Sequence, residues 1–276
     1  MREGDAVTNS QHGRHVHDMK SVETNVAPLL SQLTTDYGPT GLLGRFFQCA
    51  DTAARARGVT LSFASLAELI TVNEQNRDSW PPLFPTYDIR HNKIAPEEAF
   101  CILGRDRYGK VVAAHAGRLF NLTCRSFHDL AQSLHLMYEH PDESKRPGET
   151  CEVTARAARS IKGRVVFSGA AWYHPDYRGK QLSTIVPILS RAYAFTHWNV
   201  DYLVAMMSEG VVSGGMTLRT GYTNIDWDIR VTNSPMGDVR FAFMWMQPPQ
   251  LLEDVAKFVA RFDSEGAAAD NRQNHR

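Results

Sequence analysis

The chain has 276 residues, of which 43% are hydrophobic and 22% charged, as in an ordinary soluble globular protein with one large domain or two small ones. Thirty basic residues balance thirty acidic ones, which argues against nucleic acid or an anionic membrane as the main partner. No apolar stretch approaches the roughly 18 residues of a membrane-spanning helix. The polar N-terminus lacks the apolar core of a signal peptide, so a cytoplasmic protein is expected.

The N-terminal segment is polar and rich in histidine. His12, His15 and His17 could bind a divalent cation weakly, but a structural zinc site needs a fourth ligand and a fold to fix it. We expect a disordered tail over residues 1–25 and no metal. The cysteines are isolated and form no CxxC pair, which suits a reducing compartment. They are Cys49, Cys101, Cys124 and Cys151.

The first predicted elements are a helix, a strand and a second helix. Apolar residues recur at helical spacing over residues 40–57, and Gly58 follows as a stop signal. Residues 59–63 alternate like a short strand. Ser65 can cap the next helix, with Glu68 at its third position as in a capping box.

A loop with three prolines follows, and it carries Trp80, Phe84 and Tyr87. Large aromatic side chains beside prolines make a stiff apolar wall, which either packs into the core or binds a substrate. The apolar stretches 100–104 and 111–122, separated by a polar turn, predict a hairpin.

The middle of the chain combines a helix, an ambiguous stretch and a strand that leads into another helix. Apolar spacing predicts a helix over residues 127–140, whereas residues 151–162 fit no single element. Residues 165–175 read as a strand with small residues at its centre, where a ligand can approach closely. The helix over residues 183–198 begins at Ser183, a good capping residue.

The C-terminal third predicts a buried strand, a glycine-loosened turn, two antiparallel strands and a last amphipathic helix. These elements cover residues 202–207, 210–222, 226–232, 240–246 and 248–262, and a disordered polar tail is expected at 263–276. Strands and helices in this order predict a mixed α/β layout.

The segment from Tyr173 to Ser183 is suited to hold a pyrophosphate. The first N–H groups of a helix have no internal partners and carry the positive end of its dipole. A glycine-containing turn that enters a helix from a strand therefore directs several amides at one anion. Arg178 and Lys180 add charge, and Ser183 adds a hydroxyl. The alternative is a plain strand-to-helix connection.

The motif HPDYRGKQLS, the apolar helix after it, the strand WNVDYLVAMM and the later Gly221-Tyr222 pair resemble the acetyl-CoA-binding core of the GNAT superfamily of N-acetyltransferases. The resemblance spans residues 58–247, with an insertion at about 123–160. It implies a mixed, mostly antiparallel central sheet flanked by helices. An N-terminal helical extension at 26–57 precedes this domain, and the insertion is expected to be helical.

By this resemblance, acetyl-CoA or another acyl-CoA binds along the strand and its turn, with the acyl group between this strand and the next. The family motif has small residues at the positions of Gln181 and Ser183, so the Gln181 side chain is expected to hinder close approach of the pyrophosphate. The implied contacts are Trp172, Tyr173, Arg178, Gly179, Lys180, Gln181, Leu182 and Ser183.

Acyl transfer to an amine needs a group that takes the amine proton. His174 is the candidate base, because an unperturbed imidazole titrates near neutral pH and the position matches a catalytic histidine in the arylalkylamine N-acetyltransferase branch. His115 either faces the same cleft or is a satisfied core histidine.

The same resemblance places an Asn and a Tyr general acid near the fifth strand of the family. Those two positions are Gly210 and Thr217 in this chain, and neither residue can act in the same way. Ser208 and Glu209 lie beside them and are the candidate substitutes.

We therefore predict an acyl-CoA-dependent N-acyltransferase that acts on a small-molecule amine by direct attack in a ternary complex. The insertion and the aromatic residues Trp80, Phe84 and Tyr87 would shape the acceptor pocket. The alternatives are a non-catalytic acyl-CoA-binding regulatory module and an unrelated α/β fold with a fortuitous motif. The chain could form a homodimer.

Overall fold

The computed structural model describes the backbone of residues 27–273 and the side chains of residues 27–265. The predicted tail at residues 1–25, with its three histidines, lies outside the described residues. None of the described helices is both long enough and apolar enough to cross a membrane.

Eight strands lie within the described residues and form one sheet. They are β1 (Thr60–Ala64), β2 (Ala99–Arg105), β3 (Val111–Leu122), β4 (Thr150–Val153), β5 (Gly163–Tyr173), β6 (Tyr202–Ser208), β7 (Asn224–Ser234) and β8 (Gly237–Met246). Their spatial order is β1-β2-β3-β5-β6-β8-β7-β4, and every neighbouring pair is antiparallel except β5 with β6. The predicted mixed, mostly antiparallel sheet is confirmed.

Helices cover the sheet on the sides where its side chains are apolar. They are α1 (Thr40–Arg55), α2 (Leu66–Gln75), α3 (Phe127–Gln132), α4 (Pro141–Ser144), α5 (Val186–Trp198), α6 (Glu209–Ser213), α7 (Met216–Thr220) and α8 (Pro248–Gln273). The helices α1, α5 and α8 pack against one another and against one face of the sheet.

Alternation along the strands divides the core into two clusters. Successive side chains of a strand point to opposite faces, so Ala113 and Val166 join the cluster under α1, α5 and α8. Their neighbours Ala114 and Val165 join the other cluster, beneath the proline-rich loop and the insertion. The insertion therefore covers part of this face of the sheet, and its strand β4 extends the sheet beside β7.

The helix predicted over residues 127–140 is wrong beyond Gln132. Ser126 caps α3 through a capping box with Asp129, but Leu134 has a φ of 63°, which ends the helix. The amide of Leu136 then donates to the carbonyl of Leu130, and the chain turns. The helical spacing of Leu130, Leu134 and Met137 therefore reflects burial of all three side chains without a continuous helix.

Two predicted capping interactions differ from the structure. Ser183 lies inside a short 3₁₀ turn (Leu182–Thr184), and α5 begins only at Val186, so Ser183 caps no helix. Ser65 does accept from the amide of Glu68, but the Glu68 carboxylate pairs with Arg105 at 2.6 Å and does not complete a capping box.

The last helix, α8, continues past residue 262, where the sequence predicts a polar tail, to Gln273. Alanine has the highest helix propensity, and the run Ala267–Ala269 continues the helix although its residues lack an apolar stripe.

The edge of the sheet at β4 and β7 is fixed by one buried carboxylate. Asp228, whose side chain is 4% exposed, accepts hydrogen bonds from Thr154 Oγ1 at 2.5 Å, Arg240 Nε at 2.6 Å and Arg230 Nε at 2.8 Å. The bond from Thr154, followed by those from Arg240 and Arg230, lowers the pKa of Asp228 to about 2.

Because this pKa lies below the usual Asp value, the ionised group stabilises the fold above about pH 4, and that contribution is lost as the pH falls toward 2. We expect Asp228→Asn to lower the free energy of unfolding at pH 7 by about 1–3 kcal/mol, a deficit that shrinks near pH 2. Urea unfolding at several pH values measures it. Asp142→Asn, at a 97% exposed carboxylate, is the control; an equal deficit for Asp228→Asn at every pH would contradict the assignment.

Candidate functional site

The site begins where β5 and β6 separate. Their parallel pairing consists of Val165 with Tyr202, Val166 with Leu203 and Phe167 with Val204, and the described residues contain no later pair. Beyond that point β5 remains paired with β3, and β6 remains paired with β8. The two strands therefore diverge around a gap, with an unpaired backbone edge on each side.

The sequence of β5 explains the separation. Ser168, Gly169, Ala170 and Ala171 have small side chains, and Ala170 adopts a φ of 52°. The register between β5 and β3 shifts at this point, between Ala114 and Ala116. A bulge of this kind bends a strand and increases its local twist, which directs the end of β5 away from β6.

A cavity of about 570 Å³ occupies this gap. One end lies at the turn after β5, the side is formed by the proline-rich loop and the ends of β5 and β6, and the inner end lies under α5. Its wall includes Trp80, Phe84, His115, Trp172, Tyr173, Arg178, Gly179, Gln181, Leu182, Ser183, Arg191, Ser208, Arg219 and Tyr222.

The turn after β5 presents several backbone amides to the cavity. The N–H groups of Gly179, Gln181, Leu182 and Ser183 donate to no acceptor within the described part of the chain. Gly179 has a φ of +82°, and a Cβ built on it would meet no atom within 4 Å. Converging amides next to the first turn of α5 make a favourable site for an anion.

Arg57, two residues after the end of α1, holds this turn in place. Its Nε donates to the carbonyl of Lys180 at 2.8 Å, and its Nη2 donates to Gln181 Oε1 at 3.1 Å. Gln181 has a φ of 59°, a left-handed conformation that this bond and one from Thr184 Oγ1 to the Gln181 carbonyl support. The Gln181 side chain, which the sequence predicts to hinder an anion, is thus bound to Arg57.

Lys180 does not line the cavity, although the sequence predicts it as a cofactor contact. Its Nζ lies 3.8 Å from the centre of the Tyr177 ring, in a cation–π contact. The other seven predicted cofactor contacts all lie in the cavity wall.

The aromatic side of the cavity is a stacked pair. The rings of Trp80 and Trp172 lie 5.0 Å apart at 6°, and Trp172 Nε1 donates to Ser79 Oγ at 3.1 Å. Arg178 Nη2 donates to the Ser79 carbonyl at 3.3 Å and so connects the turn to the proline-rich loop. Burial of both indoles makes this wall rigid.

The three predicted substrate contacts divide into two groups. Trp80 and Phe84 lie in the cavity wall, whereas Tyr87 does not. Tyr87 is fully buried, and its hydroxyl donates to the carbonyl of Phe167 at 3.0 Å. That bond connects the loop to the last residue of β5 that pairs with β6, so Tyr87 has a structural role.

The three candidate catalytic residues do not meet in the cavity. Ser208, at the end of β6, lines the cavity, but His174 and Glu209 do not. His174 Nε2 lies 2.8 Å from Lys110 Nζ, and its Nδ1 accepts from the amide of Asp176 at 3.3 Å. Glu209 pairs with Arg240 Nη1 at 3.2 Å.

The inner end of the cavity is polar, and the sequence reasoning does not identify most of it. His115, Arg191 and Tyr222 are 3%, 1% and 3% exposed, and each has a buried polar atom without a partner among the described residues. Burial, with the nearby Arg191, lowers the pKa of His115 to about 3, so its imidazole is neutral. In the sequence, this polar end is indicated by a single arginine, Arg191, within the otherwise apolar face of α5.

Together these features suit a ligand with an anionic end and an extended middle. The turn offers amides to the anion, and the edges of β5 and β6 offer backbone groups to a chain between them. Among the described residues, no cluster of three or more His, Cys, Asp or Glu side chains is placed to hold a metal ion.

We expect Arg57→Gln to loosen the turn without unfolding the protein, because the variant loses the bonds that join α1 to residues 180 and 181. Amide hydrogen exchange at Lys180, Thr184 and Ile185, whose N–H groups are bonded within the turn, should accelerate by about tenfold, which corresponds to about 1.4 kcal/mol. Arg45→Gln removes only an exposed ion pair of α1 and should leave this exchange unchanged. Equal exchange in both variants would show that Arg57 does not hold the turn.

No family model and no curated protein matches this sequence. Among solved structures, the chain is similar to a ribosomal-protein-S5-alanine acetyltransferase from Vibrio fischeri, at 9% identity and a TM-score of 0.41 over 69% of this chain and 93% of that one. It is also similar to a mutant of the spermidine N-acetyltransferase SpeG from Vibrio cholerae, at 10% identity and a TM-score of 0.40 over 71% and 96% of the two chains.

Proposed function

We propose that the protein is an acyl-CoA-dependent N-acyltransferase that transfers an acyl group to the amine of a small molecule. Acetyl is the acyl group to test first. The observation that carries this proposal is one continuous cavity that joins the free amides after β5 to the gap between β5 and β6. We assign residues 58–247 to the acyltransferase domain.

The chemical groups of the cavity wall suit an acyl-CoA. The amides of Gly179, Gln181, Leu182 and Ser183 would hold the pyrophosphate, with Arg178 adding positive charge. The backbone of Trp172 and the residues before it would face the pantetheine arm along the open edge of β5. An acyl-CoA carries its pyrophosphate, amide-containing arm and short acyl group in that order. The cavity offers the turn, the open edge of β5 and the gap between β5 and β6 in the same order.

The bound acyl-CoA would supply an activated thioester, and the chain would orient the two substrates. The unpaired strand edges fix the acyl end, and the stacked indoles of Trp80 and Trp172 exclude water from one side. Near the gap, the wall offers Ser208 Oγ as a hydrogen-bond acceptor for the amine. His115 lies at the inner end and has a pKa of about 3, so it would not retain a proton taken from the amine.

The second candidate function, an acyl-CoA-binding module without catalysis, is favoured by one observation. No carboxylate within the described residues lines the cavity, and the predicted base His174 lies outside its wall. Release of the coenzyme thiol from acetyl-CoA distinguishes the two functions. Amine-stimulated release supports the enzyme, whereas acetyl-CoA binding without stimulation by any amine of a broad panel supports the module.

We expect Gly179→Ala to weaken coenzyme A binding by tenfold or more, because a methyl group would project into the space before the free amides and the left-handed φ would be strained. Gly237→Ala is the matched control, since Gly237 has a φ of +81° and equally open surroundings at the β7–β8 turn. Calorimetric titration with coenzyme A measures both variants. Equal affinities of the two variants for coenzyme A would show that the turn is not part of the binding site.

We expect His174→Gln to change amine-dependent turnover by less than tenfold, because its Nε2 lies against Lys110 and outside the cavity wall. A general base typically contributes 10²–10⁴-fold, so the sequence hypothesis predicts a much larger loss. The dependence of kcat/KM on pH, measured for the wild type and the variant, separates the two. A loss above a hundredfold together with a vanished acidic limb would restore His174 as the base.

A further inference from the structure

The ionisable side chains of the cavity wall are unbalanced in charge. Arg178, Arg191 and Arg219 line it, whereas no Asp or Glu among the described residues does. The chain as a whole has equal numbers of acidic and basic residues, so this imbalance is local. A cavity with fixed positive charge favours anionic ligands and disfavours polycations such as polyamines.

Arg178 and Arg219 lie toward the mouth of the cavity, where they bond to backbone carbonyls of Ser79 and Gly214. Arg191 lies about 7.5 Å further along α5 than its first residue, Val186, by the rise of an α-helix. The same helix therefore brings one cation to the inner end of the cavity while its N-terminus borders the turn.

Arg191 is 1% exposed and is not fully bonded by the protein. One Nη2 bond reaches the carbonyl of Thr220, its guanidinium lies 4.7 Å from the centre of the Tyr222 ring, and its Nε has no partner among the described residues. A buried guanidinium with a free donor is costly unless an acceptor completes it.

Other buried groups face the same end of the cavity. The hydroxyls of Tyr173 and Tyr222 and Nδ1 of His115 also lack partners among the described residues, and all three residues line the wall. Two phenols and a guanidinium supply donors, so the matching ligand group must be rich in acceptors. A carboxylate has two oxygen atoms for such donors and a charge that complements Arg191.

Asp254 on α8 does not take this role. It lies beyond Gly221, where an added Cβ would be 2.7 Å from Asp254 Oδ2 and 3.8 Å from Arg191 Nη2. It forms no ion pair with Arg191 within 4 Å and does not line the cavity. Burial raises the pKa of its carboxyl, and the charge of Arg191 offsets part of that rise. The unpartnered Nε of Arg191 therefore remains available to a ligand.

We propose that the inner end of the cavity, formed by Arg191, Tyr222, Tyr173 and His115, binds a carboxylate of the substrate. The proposal rests on the proposed acyltransfer and narrows its substrates to carboxylate-bearing ones with an apolar body, because Trp80 and Phe84 line the same cavity. The carboxylate belongs either to the acceptor, as in an apolar amino acid, or to the far end of a dicarboxylic acyl chain.

Matched ligand pairs test the proposal and separate the two sources. In the first arm, protein saturated with coenzyme A is titrated with leucine, methionine, phenylalanine and tryptophan and with the carboxamide of each. In the second arm, free protein is titrated with succinyl-CoA and butyryl-CoA. We expect the carboxylate to be preferred at least tenfold in one arm, a difference of about 1.4 kcal/mol.

We expect Arg191→Met to abolish that preference while coenzyme A still binds, since the turn is unchanged. Arg45→Gln, an exposed position on α1, is the matched control and should retain the preference. Carboxylate and neutral ligands that bind within threefold of each other in both arms would overturn the proposal, as would a preference that persists in Arg191→Met.

Tyr222→Phe keeps the test decisive if Arg191→Met fails to fold. The variant keeps the ring beside Arg191 and removes a hydroxyl that has no protein partner in the described residues, so its Tm should not fall. The carboxylate preference should fall about threefold to tenfold. An unchanged preference would contradict the proposal.

Failure of the proposed function is distinguishable from failure of this inference. If coenzyme A does not bind, the proposed function fails, and the first arm is then read on free protein. In that case, a carboxylate preference that depends on Arg191 would still support the inner site. The absence of such a preference would contradict it.

Discussion

The early end of the pairing between β5 and β6 is the constraint on which the rest of the site depends. Both strands keep a second neighbour, β3 or β8, so the sheet stays intact while a gap opens inside it. Unpaired backbone groups in a sheet need hydrogen-bond partners, which a ligand in the gap can supply. The left-handed φ of Ala170 and the register shift beside it make this separation a property of the β5 sequence.

The helix α5 joins the two ends of the cavity. Its N-terminus follows the turn with the free amides, and Arg191 in its middle reaches the polar inner end. The turn is bonded to Arg57, which follows α1, and α1, α5 and α8 share one core cluster. The N-terminal extension and the last helix thereby support both ends of the site through ordinary apolar packing.

Local chemistry determined what could be predicted. The hairpin of β2 and β3, the strand before the turn, and the glycine turn itself follow from alternation and residue type, which act over a few residues. The same local rules failed at Leu134, where buried side chains at helical spacing occupy a turn, and at Ser183, where a capping residue lies one turn before the helix.

By itself, the sequence determined the mixed α/β order of the elements and the position of the glycine turn after β5, because both are encoded by contiguous residues. Only the tertiary structure decided which distant side chains meet. It placed His174 beside Lys110 and Glu209 beside Arg240, away from the cavity, and it brought His115 from β3 to Arg191 from α5. Such contacts depend on how the chain crosses the sheet, which no local pattern records.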